Sequence, residues 1–124
     1  MNKVHTLYTL DDAGTPVPVD LADPQKAIDW AEWRRTHHKD CVVAQDPVHD
    51  EDGVLRYGIS TVFTGMNAGL EPPLLWETVV TSPGDDEGYS HYASYASRVE
   101  AEVGHQRALA YFRDNTKAAE LEDS

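Results

Sequence analysis

The sequence predicts an α+β fold: an N-terminal β-hairpin, a helix, a four-stranded antiparallel meander, and a C-terminal helix packed on the sheet. Three observations lead to this prediction. Residues 41–95 alternate between apolar and polar side chains, and clusters of turn-forming residues interrupt the alternation. An Asp-Pro pair at residues 23–24 marks the start of one helix, and a capping box at residues 97–100 marks the start of another.

The N-terminal segment predicts a hairpin. Residues 4–10 alternate and end at the turn signal Asp-Asp-Ala-Gly of residues 11–14, which is typical of a strand entering a hairpin. The return segment, residues 15–20, contains two prolines. Because proline cannot donate to a ladder of hydrogen bonds, we expect an edge strand there.

The first helix is expected over residues 24–37. The Asp23 carboxylate caps it, and proline is tolerated at the first helical position. A helical wheel places one set of side chains on the face expected to be buried. These residues are Ala27, Ile28, Trp30 and Ala31.

Four strands are expected within residues 41–48, 54–65, 74–80 and 89–95. In the two central strands, alternation predicts one face packed under a helix. That face comprises Leu55, Tyr57, Ile59, Thr61, Phe63, Leu74, Trp76, Thr78 and Val80. The opposite face is less polar than an open sheet requires, so we expect the other helix or a partner chain, as in a homo-oligomer, to cover part of it.

The capping box of residues 97–100 opens the last helix, which is expected to run to about residue 115. Its length, together with the preceding elements, predicts a single α+β domain over residues 1–115. Residues 116–124 are expected to form a short, acidic, frayed tail.

Composition constrains the kind of partner. The 124 residues include 22 acidic and 10 basic side chains, which give a formal charge of -12. Such a field repels nucleic acids and anionic membranes, and favours a protein partner with a basic surface. One cysteine and the lack of a long apolar segment predict a cytoplasmic protein.

Two acidic turns are expected at the same end of the meander, because alternate turns of an antiparallel sheet are neighbours. We call these six residues the acidic rim: Asp50, Glu51, Asp52, Asp85, Asp86 and Glu87. The rim is interpreted either as two solvated turns, as a site for a hard cation, or as a surface for a basic partner. A twelve-residue calcium-binding loop is not present in the sequence.

Other candidate residues lie in and near the loop between the central strands. Glu77 is expected to bond the loop backbone or, less in keeping with its position, to act with His91 or His105 in a small hydrolase. The loop itself could bind a nucleotide signal. Its candidate residues are Gly65, Asn67 and Gly69. No nucleophile motif supports an enzyme.

No metal site or cofactor is predicted. His37, His38, His49, Asp46 and Cys41 lie near one another in sequence, but no second cysteine or paired-histidine motif completes the four ligands that structural zinc requires. A polar helix end is the alternative interpretation, with the cationic form of a histidine favoured by the helix dipole.

Three segments resemble a family of short phage and prophage proteins to which no activity is assigned. They are STVFTG at residues 60–65, PPLLWET at residues 72–78, and the Gly-His pair at residues 104–105. The resemblance covers residues 54–112, and departs from the family in the loop MNAGLE and in a longer acidic turn. It implies a small phage accessory protein, a class that often inhibits host machinery, including defence systems as anti-CRISPR proteins do. The expected function is therefore non-catalytic binding of a host protein through the acidic surface.

Overall fold

The computed structural model describes residues 7–67, 70–83 and 90–122 and confirms the α+β fold. Strands β1 and β2 form a hairpin, and β3 to β6 form one antiparallel sheet in chain order, with α3 on one face. The elements are β1 (Tyr8–Leu10), β2 (Pro16–Pro18), α1 (Pro24–Thr36), α2 (His38–Cys41), β3 (Val42–His49), β4 (Leu55–Phe63), β5 (Trp76–Thr81), β6 (Ser90–Tyr95) and α3 (Arg98–Glu122).

The face of the sheet under α3 carries the core. From Ile59 to Phe63 of β4 and from Trp76 to Val80 of β5, the side chains alternate between fully buried and half-buried, as the sequence predicts. Leu55, at the start of β4, is 42% exposed, so its expected place on the packed face is wrong; β4 extends there beyond its pairing with β5. The buried apolar residues form two clusters. One cluster comprises Cys41, Phe63, Leu75, Trp76 and Ala101, and the other comprises Val48, Ile59, Val80, Ala108 and Leu109.

Between these clusters lies a polar layer. Thr61, Thr78 and His105 are fully buried, and each lies in its element between a residue of one cluster and a residue of the other. Because buried polar groups cost free energy unless they are hydrogen-bonded, this layer must satisfy its own donors and acceptors.

The hairpin joins the sheet at the end where β4 leads into its loop. Leu7 bridges Met66, and the Tyr8 amide donates to the Gly65 carbonyl over 2.8 Å. Gly65 has a φ of 69°, and a Cβ there would lie 2.5 Å from the Tyr8 carbonyl oxygen. This close approach of two backbones requires glycine.

Helix α1 packs on the hairpin and on the α3 side of the sheet, but not with the predicted face. Ile28 is 63% exposed, so the expectation that it is buried is wrong. The Trp30 indole instead donates to the Tyr8 carbonyl over 2.8 Å, and the Arg34 guanidinium donates to the Thr64 carbonyl. Trp33 packs edge-on against Phe63. Hydrogen bonds from the amphipathic side chains of Trp30 and Arg34 thus orient this helix. A helical wheel, which considers only hydrophobicity, cannot predict them.

Helix α1 ends at Thr36, within one residue of the predicted end, and the short α2 begins after His37. The end of the last helix differs from the sequence prediction. Helix α3 continues to Glu122 rather than ending near residue 115, because the segment KAAELE at 117–122 consists of strong helix formers without a glycine or proline stop. In the described part of the chain, no helix is both long and apolar enough to cross a membrane.

Gly104 sets how closely α3 approaches the last strand. The Tyr95 ring lies against the helix backbone at this position, and a Cβ on Gly104 would lie 2.2 Å from two atoms of that side chain. Tyr95 also packs on the first cluster of the core. The glycine therefore makes room for an aromatic ring between helix and sheet.

We expect Gly104→Ala to destabilise the fold by about 2 kcal/mol, because overpacking costs more than the gain in helix propensity. Urea unfolding measures the effect, and Gln106→Ala on the exposed side of the same helix is the control for propensity alone. Replacing Tyr95 by Leu in the Gly104→Ala background should recover much of the loss. A Gly104→Ala variant as stable as the unmodified protein would contradict this packing.

Candidate functional site

His105 is the centre of the buried polar layer. Helix α3 directs it onto the sheet, where its Nδ1 lies 2.7 Å from the Thr61 hydroxyl. Its Nε2 lies 2.7 Å from a carboxylate oxygen of Asp46 on β3. The Asp46 side chain is 42% exposed, so one end of this arrangement reaches solvent.

The layer continues across the sheet to its last strand. The hydroxyls of Thr61 and Thr78 are 2.5 Å apart, and the Thr78 hydroxyl lies 3.0 Å from that of Tyr95. We call these five residues the polar chain: Asp46, His105, Thr61, Thr78 and Tyr95. When the proton of a neutral His105 is on Nε2, this nitrogen donates to Asp46 and Nδ1 accepts from the Thr61 hydroxyl. The Thr61 hydroxyl can then accept from that of Thr78, and the Thr78 hydroxyl from that of Tyr95. One directional order therefore satisfies every member.

The order carboxylate, imidazole, hydroxyl is also that of an acyl-transfer triad. A nucleophile must reach its substrate, however, and Thr61 is fully buried between the imidazole and Thr78. Of these three triad-like groups, only the carboxylate of Asp46 is accessible. The geometry thus favours a structural role, in which the polar chain fixes the position of α3 on the sheet.

Glu77 lies on the opposite face of the sheet from His105. It pairs with Val62 and with Ser94, whereas its neighbour Thr78 faces α3. The sheet therefore separates Glu77 from His105, which does not support their acting together in a hydrolase. Within the described residues the Glu77 carboxylate makes no hydrogen bond, so it does not anchor the described part of the loop.

On that outer face, Glu77 is close to a different pair. Ser94, its cross-strand neighbour, lies 2.8 Å from Nε2 of His91 through its hydroxyl. His91 is exposed. The sequence predicts that either α1 or a partner chain covers this outer face. Helix α1 instead lies on the α3 side, where Trp33 packs on Phe63, so the first alternative is wrong. Cover by a partner chain stays a prediction.

The loop after β4 is held from within and by the hairpin. Asn67 is 6% exposed; its side chain donates to the Leu70 carbonyl and accepts from the Leu70 amide. The Gly65 carbonyl accepts a hydrogen bond from the Tyr8 amide of β1, so this part of the loop is in contact with the hairpin. Gly69, the third candidate for nucleotide binding, lies outside the described residues.

The β3–β4 turn carries the first half of the acidic rim. Asp50 accepts from the amides of Asp52 and Val54 and from the Arg56 side chain, so its own side chain is only 3% exposed. Glu51 and Asp52 are exposed. Asp50 therefore builds the turn, and the other two carboxylates are presented to solvent.

The second half of the acidic rim, Asp85, Asp86 and Glu87, lies outside the described residues. The chain order of the sheet brings Thr81, where β5 ends, and Ser90, where β6 begins, to the same end as the β3–β4 turn. This end is opposite to the hairpin.

The structure does not bring the histidines near Cys41 together as ligands. His37 stacks on Trp33 with ring centroids 5.1 Å apart, and Cys41 is buried in the core. Burial raises the pKa of the Cys41 thiol, which disfavours the thiolate that a metal would need. Within the described part of the chain, no three histidine, cysteine or acidic side chains are grouped to hold a metal.

No family model, no curated protein and no solved structure matches the chain.

Sequence reasoning named His105 but missed its partners. The sequence does contain a signal for Asp46. It lies two residues before Val48 in β3, and alternate residues of a strand lie on the same face, so its carboxylate lies on the α3 face. The two threonines were assigned to that face, but as packing residues rather than as hydrogen-bonding partners of the histidine.

We expect His105→Leu to lower the free energy of unfolding by about 2 kcal/mol, because it leaves buried Thr61 without its imidazole partner. Asp46→Ala should cost about 1 kcal/mol, since water can replace a half-exposed acceptor. Adding Thr61→Val to His105→Leu should recover part of the loss, because both polar partners are then gone. Denaturant unfolding tests these values, and strictly additive effects of the two substitutions would contradict the coupling.

The pKa of Asp50 is held below its usual value of 3.8, first by the Val54 amide and then by Arg56 and the Asp52 amide. A lowered pKa in the folded state stabilises the protein above pH 3.8, and this contribution disappears as the pH falls through the folded value. Asp50→Asn should therefore unfold at a lower urea concentration at pH 7, with a difference that shrinks below about pH 4. A difference that stays constant down to pH 3 would argue against this role.

Proposed function

We propose that the protein is a non-catalytic phage or prophage accessory protein that binds and inhibits a host protein with a basic surface. A nucleic-acid-handling or anti-phage defence complex is the kind of target that such an acidic protein suits. The observation that carries the proposal is the exposed acidic β3–β4 turn on a chain with a net charge of -12.

The shape of the turn supports docking. Strand β4 runs three residues past Gly58, the last residue that pairs with β5, to Leu55. At about 3.3 Å per residue, the β3–β4 hairpin projects roughly 10 Å beyond the end of β5. The projecting tip carries Glu51 and Asp52, and Asp50 keeps it in one conformation through three hydrogen bonds.

A preformed turn favours binding because little conformational entropy is lost when the partner docks. Burial of the polar chain supports a non-catalytic role, since the hydroxyls of Thr61 and Thr78 cannot reach a substrate. The exposed carboxylates of the turn, Glu51 and Asp52, are suited to recognition of a basic partner and to fast association with it.

The test is binding of a purified basic target, first captured from host lysate, to the double variant Glu51→Gln/Asp52→Asn. We expect about tenfold weaker binding than for the unmodified protein, and affinity that falls as salt is raised. Asp50 is left intact because its loss would disturb the turn itself.

The matched control is Asp12→Asn/Asp40→Asn, which removes the same charge from exposed positions on the hairpin and on α2, at the end of the sheet opposite to the β3–β4 turn. It should leave affinity within about twofold, because charges beyond a Debye length of roughly 10 Å are screened. Salt-insensitive binding, or an equal loss in both double variants, would refute docking through this turn.

A further inference from the structure

A cavity of about 460 Å³ lies between the hairpin and α1, at the end of the molecule away from the acidic rim. Its volume is within the range of sites for small organic groups. Most of its lining is apolar, and it includes the indole rings of Trp30 and Trp33. One face of each indole is already in contact within the molecule, Trp30 with Arg34 and Trp33 with His37, so each ring can offer a cation in the cavity only its remaining surface.

Two carboxylates line the same cavity, Asp20 from the segment after β2 and Asp29 from α1. Asp20 uses one oxygen to accept from the Ala22 amide, and Asp29 uses one to accept from the Gln25 side chain. In each carboxylate the second oxygen makes no hydrogen bond within the described residues. The cavity thus combines aromatic faces with negative charge.

The chain itself shows which cation suits these indoles. The guanidinium of Arg34 lies 5.6 Å from the ring centroid of Trp30, although Arg34 is not among the residues that line the cavity. A guanidinium is planar and more weakly hydrated than an ammonium, so it stacks on an indole and loses less solvation in an apolar cavity.

We propose that this cavity binds an alkylguanidinium group, with its apolar stem against Trp30 and Trp33 and its charge beside Asp20 and Asp29. Lys26 also lines the cavity and makes no ion pair within the described residues. Its ammonium opposes a second cation, so it limits the affinity of the site. The inference does not depend on the role of the β3–β4 turn, which lies at the other end of the sheet.

Butylguanidinium is the probe, and its neutral analogue butylurea is the control ligand. Tryptophan fluorescence or NMR titration at constant ionic strength should show saturable binding of butylguanidinium and at least fivefold weaker binding of butylurea. Asp29→Asn should weaken butylguanidinium binding about threefold while keeping the acceptor for Gln25, and Lys26→Gln should strengthen it about threefold.

Asp114→Asn, which removes one exposed charge from α3, is the matched control and should leave affinity unchanged. Comparing butylguanidinium with acetyl-Gly-Arg-Gly-amide distinguishes the source of the group: comparable affinities indicate an arginine side chain of a partner, and exclusion of the peptide indicates a free small cation. Three results would each overturn the proposal: no saturable binding, equal binding of butylurea, or equal weakening by Asp29→Asn and Asp114→Asn.

Discussion

The seating of α3 on the sheet depends on two neighbouring residues with opposite requirements. Gly104 offers no side chain, so the ring of Tyr95 can lie against the helix backbone. His105 fills the next position and bonds to Asp46 on one side and Thr61 on the other. Gly104 therefore sets the distance between α3 and the sheet, and His105 sets the position of α3 along the sheet. A helix shifted by one turn would leave several buried polar groups unpaired.

The polar layer also explains why the core has two clusters rather than one. Apolar packing is non-directional, so an uninterrupted apolar face would tolerate several positions of α3. Hydrogen bonds have fixed partners and distances, and those of Thr61, Thr78 and His105 select one position. Tyr95 belongs to both constraints on α3, because its hydroxyl bonds to Thr78 at the end of the layer and its ring packs on Gly104.

The sequence was sufficient for the parts of the fold that depend on local pattern. Alternation identified the α3 face of β4 and β5, and turn residues identified the hairpins, because each depends on a few consecutive residues. Ile28 was misplaced because α1 is oriented by hydrogen bonds from Trp30 and Arg34 to distant carbonyls. The pairing of His105 with Asp46 was missed for a similar reason, since 59 residues separate them in the chain.

The distribution of basic side chains bears on the kind of partner. Among the described residues, four arginines are engaged within the molecule: Arg34 with the Thr64 carbonyl, and Arg35, Arg56 and Arg98 in ion pairs with Glu32, Asp50 and Glu102. These cations help to hold turns and helices in place, although the side chains of Arg35, Arg56 and Arg98 remain at least half exposed. A nucleic acid needs a stripe of available cations, whereas a basic protein needs the reverse. Each ion pair also neutralises one carboxylate, so the pairs leave the net charge of -12 unchanged, and it is this excess of carboxylates on which the proposed basic partner depends.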